Sequence, residues 1–71
     1  MKNEIYTTQI KLLIEKNITE IERLKGVRDR NTKKEDKEYF QGHIDSLHGT
    51  NEDLYKLIDS VTTLAKITNE Q

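Results

Sequence analysis

Two histidines, His43 and His48, are the residues best suited to bind a metal ion or transfer a proton near neutral pH. A pair of histidines on one helix face binds a metal ion together when the residues are four apart, as in the motif HExxH. His43 and His48 are five residues apart, which separates their side chains by about 140° around a helix. We therefore expect one polar residue beside a helix and one at the edge of a core, with no metal ion bound.

The carboxylates also lack the arrangement of a catalytic pair. Glu35 and Asp36 are neighbours in the sequence, as are Glu52 and Asp53, so the members of each pair point to different sides of a helix. Such pairs are typical of a first helical turn, where they complement the positive end of the helix dipole. The chain has no cysteine, no glycine-rich phosphate loop and no GxSxG motif. These features predict a protein that is not an enzyme and needs no cofactor.

Positive charge is concentrated in the middle of the chain. Residues 23–37 carry a net charge of +4, whereas residues 38–71 carry −4 and the whole chain −1. The residues suited to an electrostatic contact are Arg28, Arg30, Lys33, Lys34 and Lys37. As a hairpin dimer the chain could bind the phosphates of RNA or DNA with them. Three acidic residues interrupt the segment, however, and nucleic-acid-binding domains usually have a clear basic excess. A solvated hairpin tip, or a contact with an acidic protein surface, is therefore favoured, with nucleic-acid binding as the alternative.

The second half of the chain carries an apolar stripe with a 4-3 spacing. Its members are Phe40, Ile44, Leu47, Asn51, Leu54, Ile58, Val61, Ala65 and Thr68. This heptad pattern keeps one face of a helix against a partner helix along its whole length. It predicts a long second helix over residues 33–68, with Asn51 as a polar residue inside the stripe.

The first half of the chain predicts a helix over residues 3–30, followed by a turn at 31–32. Its apolar residues follow a helical period, and no proline interrupts them. Thr32 and Glu35 have the spacing of a capping box, which would begin the second helix. A turn this short makes the helices antiparallel, so residues 1–71 are expected to form one all-α domain, a helical hairpin. The alternative is a three-helix bundle in which Gly49 ends one helix and Thr50 or Asn51 begins the next.

The heptad stripe has two interpretations. β-Branched residues at position a, leucine at position d and one asparagine at position a favour a parallel homodimer in which Asn51 meets its symmetry mate. Alternatively, the stripe packs against the first helix of the same chain, and Asn51 caps a helix or bonds to Asn17. Counting from a tight turn places Asn17 opposite Ser46, so this interpretation predicts a poor register for Asn17 and Asn51.

Three further apolar residues, Tyr55, Leu57 and Leu64, widen the stripe towards the C-terminal end. A two-stranded coiled coil does not need this width, so we expect contact with more than one neighbouring element. The predicted oligomer or partner interface consists of Phe40, Ile44, Leu47, Asn51, Leu54, Tyr55, Leu57, Ile58, Val61, Leu64 and Ala65.

Composition explains why a partner is expected. The chain has 71 residues, of which 32% are hydrophobic and 35% charged. A chain this short and polar buries little surface alone, and oligomerisation or docking can supply the rest. We expect a homodimer forming a four-helix bundle, or a complex with a host or viral protein. The longest apolar runs have three residues, which predicts no membrane span, and the lack of cysteine fits the cytoplasm.

One resemblance suggests a setting for such contacts. In size, in its many Ile, Lys, Asn and Glu residues, and in the stretch from Tyr39 to Leu47, the chain resembles small helical accessory proteins of phages and mobile elements of low-GC Gram-positive bacteria. This resemblance implies a protein that inhibits a host enzyme or defence complex, or a small assembly (scaffolding) factor.

Overall fold

The chain folds into two antiparallel helices joined by a three-residue turn. The computed structural model describes the backbone of residues 2–70 and the side chains of residues 4–64 and 66. Helix α1 covers Lys2–Arg30 and helix α2 covers Lys34–Glu70. The described residues include no strand. The all-helical hairpin predicted from the sequence is therefore confirmed.

The turn is held by hydrogen bonds at both helix ends. Asn31 closes α1, because its backbone N–H donates to the Arg28 carbonyl at 3.2 Å and its side-chain Nδ2 donates to the Val27 carbonyl at 2.8 Å. These bonds satisfy carbonyls that the end of a helix would otherwise leave without a partner. At the start of α2, the Lys37 N–H donates to the Lys33 carbonyl at 3.1 Å.

This bond makes Lys33 the N-cap residue of α2, one position later than the capping box predicts. Accordingly, among the described residues no hydrogen bond joins Thr32 and Glu35, so the predicted capping box is not formed. Glu35 and Asp36 lie in the first turn of α2, where their charges oppose the positive end of the helix dipole.

Helix α2 continues through Gly49 without a break. It spans 37 residues, and no described glycine has a positive φ angle. A helix that ended at Gly49 would normally place this glycine in the left-handed region. The three-helix alternative is therefore not formed. The two helices are long and thin together, with principal extents of 58 × 15 × 9 Å.

The core is a narrow seam between the helices. The buried apolar side chains are Ile10, Ile14, Ile21, Leu24 and Ile44. Phe40 and Leu47 are partly buried and pack against the cluster formed by Ile21, Leu24 and Ile44. The best-buried part of the seam therefore lies in the half of the hairpin nearest the turn.

Candidate protein-interaction surface

The heptad stripe of α2 is covered unequally by α1. Ile44 is only 1% exposed and Asn51 only 6%, so α1 of the same chain already covers both side chains. Further from the turn, Leu54, Ile58 and Val61 remain half-exposed. The intrachain packing therefore buries Ile44 and Asn51, whereas the other described stripe residues, including Phe40 and Leu47 near the turn, stay partly exposed.

Asn51 is bonded to Asn17, contrary to the register predicted from the sequence. Asn17 Nδ2 donates to Asn51 Oδ1 at 2.8 Å, and Asn51 Nδ2 lies 3.5 Å from the Ile14 carbonyl oxygen. Each helix thus has one asparagine in its inward stripe, and the two asparagines meet. Among the described residues no buried side-chain nitrogen or oxygen lacks a partner.

The direction of helical side chains explains the difference in register. Paired residues across the hairpin have numbers that add to 68 for Asn17 with Asn51 and to 69 for Arg28 with Gln41. Counting from the turn alone gave about 63. Side chains on a helix lean towards its N-terminus, so those of α1 lean away from the turn and those of α2 lean towards it. A residue of α1 therefore meets a residue of α2 that is a few positions further from the turn.

Seven-residue spacing defines a second surface, on one side of the hairpin. On α1, Tyr6, Leu13 and Glu20 follow one line, because residues seven apart lie on the same side of a helix. On α2, a corresponding line contains His43, Thr50, Leu57 and Leu64. The two lines lie on the same side of the hairpin, because each is rotated in the same sense from the buried stripe of its helix and the helices are antiparallel. In agreement with this, the charge of His43 acts on Glu20.

This side is polar near the turn and apolar beyond it. In its apolar half, Tyr6 is 59% exposed, Leu13 50%, Leu57 47% and Leu64 63%. Leu54 and Val61 lie between the α2 line and the core and are half-buried. We call this apolar half the open face, consisting of Tyr6, Leu13, Leu54, Leu57, Val61 and Leu64.

The sequence predictions found the open face only on one helix. Leu54, Leu57, Val61 and Leu64 belong to the predicted interface, whereas Tyr6 and Leu13 do not. Both belong to the apolar residues that give the first helix its period, but this period does not show which of them face α2 and which stay exposed. Tyr55, another predicted interface residue, is 53% exposed and lies on the opposite edge of the stripe. The side chains of Ala65 and Thr68 lie outside the described residues.

The polar half of the same side holds a small charge cluster. The hydrogen bond from Arg23 lowers the pKa of the Glu20 carboxyl; partial burial opposes this shift, and the charges of Arg23 and His43 add to it. Arg23 Nε lies 3.1 Å from both carboxylate oxygens of Glu20. The pair is exposed to solvent, so it organises the surface more than it stabilises the fold.

Four of the seven cations of residues 23–37 have an acidic partner. Arg28 binds Asp29 at 3.0 Å and also donates to Gln41. Lys25 lies 3.4 Å from Glu22, and Lys34 lies 3.9 Å from Glu38. Such pairs reduce the positive potential that a phosphate backbone would meet at the tip. Arg30, Lys33 and Lys37 form no ion pair among the described residues.

The histidines do not come together. Both His43 and His48 are exposed, and within the described part of the chain no three metal-ligating side chains form a cluster that could hold a metal ion. Over the same residues, neither helix has a stretch long and apolar enough to span a membrane. Comparison with protein-family models, curated proteins and solved structures gives no match.

Proposed function

We propose that this chain is a non-enzymatic protein–protein interaction module whose contact surface is the open face. One observation carries the proposal: six apolar side chains on two helices form one surface, on which four are exposed and the other two, Leu54 and Val61, are half-buried. Together they expose on the order of 400 Å² of apolar surface. A patch of that size on so small a chain is typical of a binding surface.

The chemistry of the surface suits a protein partner. Leucine and tyrosine side chains bind a complementary apolar groove or helix, with the polar residues Glu20, His43 and Thr50 at one end of the contact. The basic tip supplies a second, electrostatic contact for an acidic surface. In the setting implied by the sequence resemblance, the protein acts in the host cytoplasm as an inhibitor of a host enzyme or defence complex, or as a small assembly factor.

Two neighbouring leucines allow a matched test. Leu13 is on the open face and 50% exposed, whereas Leu12 is 54% exposed and points about 100° away from it. Tagged chains carrying Leu13→Lys or Leu12→Lys would be compared with the unmodified chain for the proteins they retain from a low-GC Gram-positive lysate. Circular dichroism would show that each variant is still helical.

We expect the unmodified chain and Leu12→Lys to retain the same protein, and Leu13→Lys to retain at least tenfold less of it. A burial difference of about 1.4 kcal/mol is enough for this factor. Equal retention by both variants would show that the partner does not bind the open face and would contradict the proposal. If the folded unmodified chain retains no specific protein, that result would contradict a foreign partner.

A further inference from the structure

The hairpin exposes more surface than a compact protein of its mass. Its accessible surface is 5797 Å² for 8.4 kDa, whereas a folded monomer of this mass exposes about 4600 Å². The excess is about 1200 Å², and a standard interface buries about 800 Å² per partner. The radius of gyration is 16.7 Å, against about 11 Å for a compact 71-residue domain. The excess surface is therefore large enough for a standard interface with a partner.

We infer that a second copy of this chain covers the open face, giving a four-helix bundle in which both turns lie at the same end. The inference rests on the proposed function, because it names the partner that binds the same surface. Tyr55 and the outer side of α1 stay uncovered in this bundle.

The open face matches itself under a two-fold axis parallel to the hairpin. The side chains of Leu13 and Leu57 lie at about the same level along the hairpin, as do those of Tyr6 and Leu64. The residue numbers of each pair add to 70, close to the sums of 68 and 69 for the pairs that touch across the hairpin. This axis packs α1 of each copy against α2 of the other copy. Leu13 of one copy then contacts Leu57 of the other, and Tyr6 contacts Leu64; the symmetry produces each contact twice. Each helix is then antiparallel to both neighbours, which also suits the helix dipoles.

The reverse arrangement matches poorly. With the turns at opposite ends and the hairpins fully overlapped, Leu57 and Leu64 would face the polar half that contains Glu20, His43 and Thr50. Sliding the hairpins until their apolar halves meet would leave the two near-turn halves without contact. Only the same-end arrangement covers the apolar residues along the full length of both copies.

Charge at the edge of the face supports the same arrangement. Lys16 lies three residues after Leu13 and Asp53 four residues before Leu57, and both are exposed. They lie on the outer edges of α1 and α2, and their side chains are at about the same level along the hairpin, because their residue numbers add to 69. The two-fold axis brings Lys16 of one copy beside Asp53 of the other, so opposite charges flank the apolar contact.

The first experiment measures mass in solution. Sedimentation equilibrium of the full chain at about 50 μM is expected to give twice the chain mass of 8.4 kDa. Leu13→Lys is expected to give a single chain mass, and the control Leu12→Lys twice that mass. A monomeric unmodified chain, or a Leu13→Lys variant that remains dimeric, would overturn the inference.

The second experiment measures orientation. Thr32 lies in the turn and is exposed, and the chain has no cysteine, so Thr32→Cys accepts a single spin label. Adjacent bundle helices are about 10 Å apart, so turns at the same end give a label separation below about 30 Å. Turns at opposite ends would be more than about 40 Å apart, the length of α1, and that result would overturn the arrangement.

These results are distinguishable from those of the capture experiment. A monomer that still retains a protein through Leu13 would overturn the self-association and leave the interaction function standing. A dimer with the expected label distance that retains no other protein would support this inference and contradict a foreign partner.

Discussion

Asn17 and Asn51 meet where each helix would otherwise present an apolar residue. Two asparagines at these positions bury less apolar surface than two leucines would. In exchange they fix the register of the two helices, because any shift of one helix along the other leaves a buried amide without a partner. The sequence indicated that Asn51 was special, since it is the polar residue within the stripe near its centre. It also named Asn17 as one possible partner but gave the pair a poor register, because counting from the turn alone neglects how helical side chains lean.

The asparagine pair can be tested with a double-mutant cycle. Replacing Asn51 alone by leucine is expected to lower the free energy of unfolding by about 1 kcal/mol, because the Asn17 amide loses its acceptor. Asn17→Leu should behave similarly. The double variant is expected to be at least as stable as the unmodified chain, because the polar pair is replaced by an apolar one of similar size. Urea unfolding at one protein concentration measures all four proteins, and additive effects would contradict the coupling.

At the level of the helices, the phase of the heptad stripe was the most reliable sequence signal. Residues before Gly49 and after it keep one phase, and the structure has one helix there. Helix α2 begins one residue later than predicted, because Lys33 and not Thr32 caps it. The sequence could not divide the stripe into buried and open parts, since that division depends on which residues of α1 lie opposite.

Glycine substitutions test the continuity of α2. A Cβ atom added at Gly49 or at Gly42 would meet nothing within 4 Å. Gly49→Ala is therefore expected to raise the free energy of unfolding by about 1 kcal/mol through helix propensity, and Gly42→Ala should do the same. Chemical unfolding measures both changes. If Gly49 instead ended a helix in the left-handed region, its alanine variant would be less stable while that of Gly42 would still gain stability.

At the level of the whole molecule, the sequence predicted that the chain needs more burial than it can supply. Among the side chains that the structure describes, five apolar ones are buried between the helices, while nine large apolar ones remain exposed. Six residues, four of them among these nine, form the open face, and four of the six were predicted from α2 alone. Tyr6 and Leu13 of α1 could not be predicted, because their place on the open face depends on how the two helices are rotated relative to each other. The spacing of apolar residues along the sequence does not contain this rotation.

If the open face is covered by a second copy, folding and association are one equilibrium, so thermal stability must depend on protein concentration. A tenfold increase in concentration adds about 1.4 kcal/mol per dimer, which raises Tm by about 3–6 °C for an assembly of this size. Circular dichroism melts from about 5 to 500 μM measure the slope. Leu12→Lys should keep this slope, because its side chain points away from the contact, whereas Leu13→Lys should melt at one low temperature at every concentration. A concentration-independent Tm of the unmodified chain would mean that the hairpin is stable with its open face exposed to water, contrary to the surface argument.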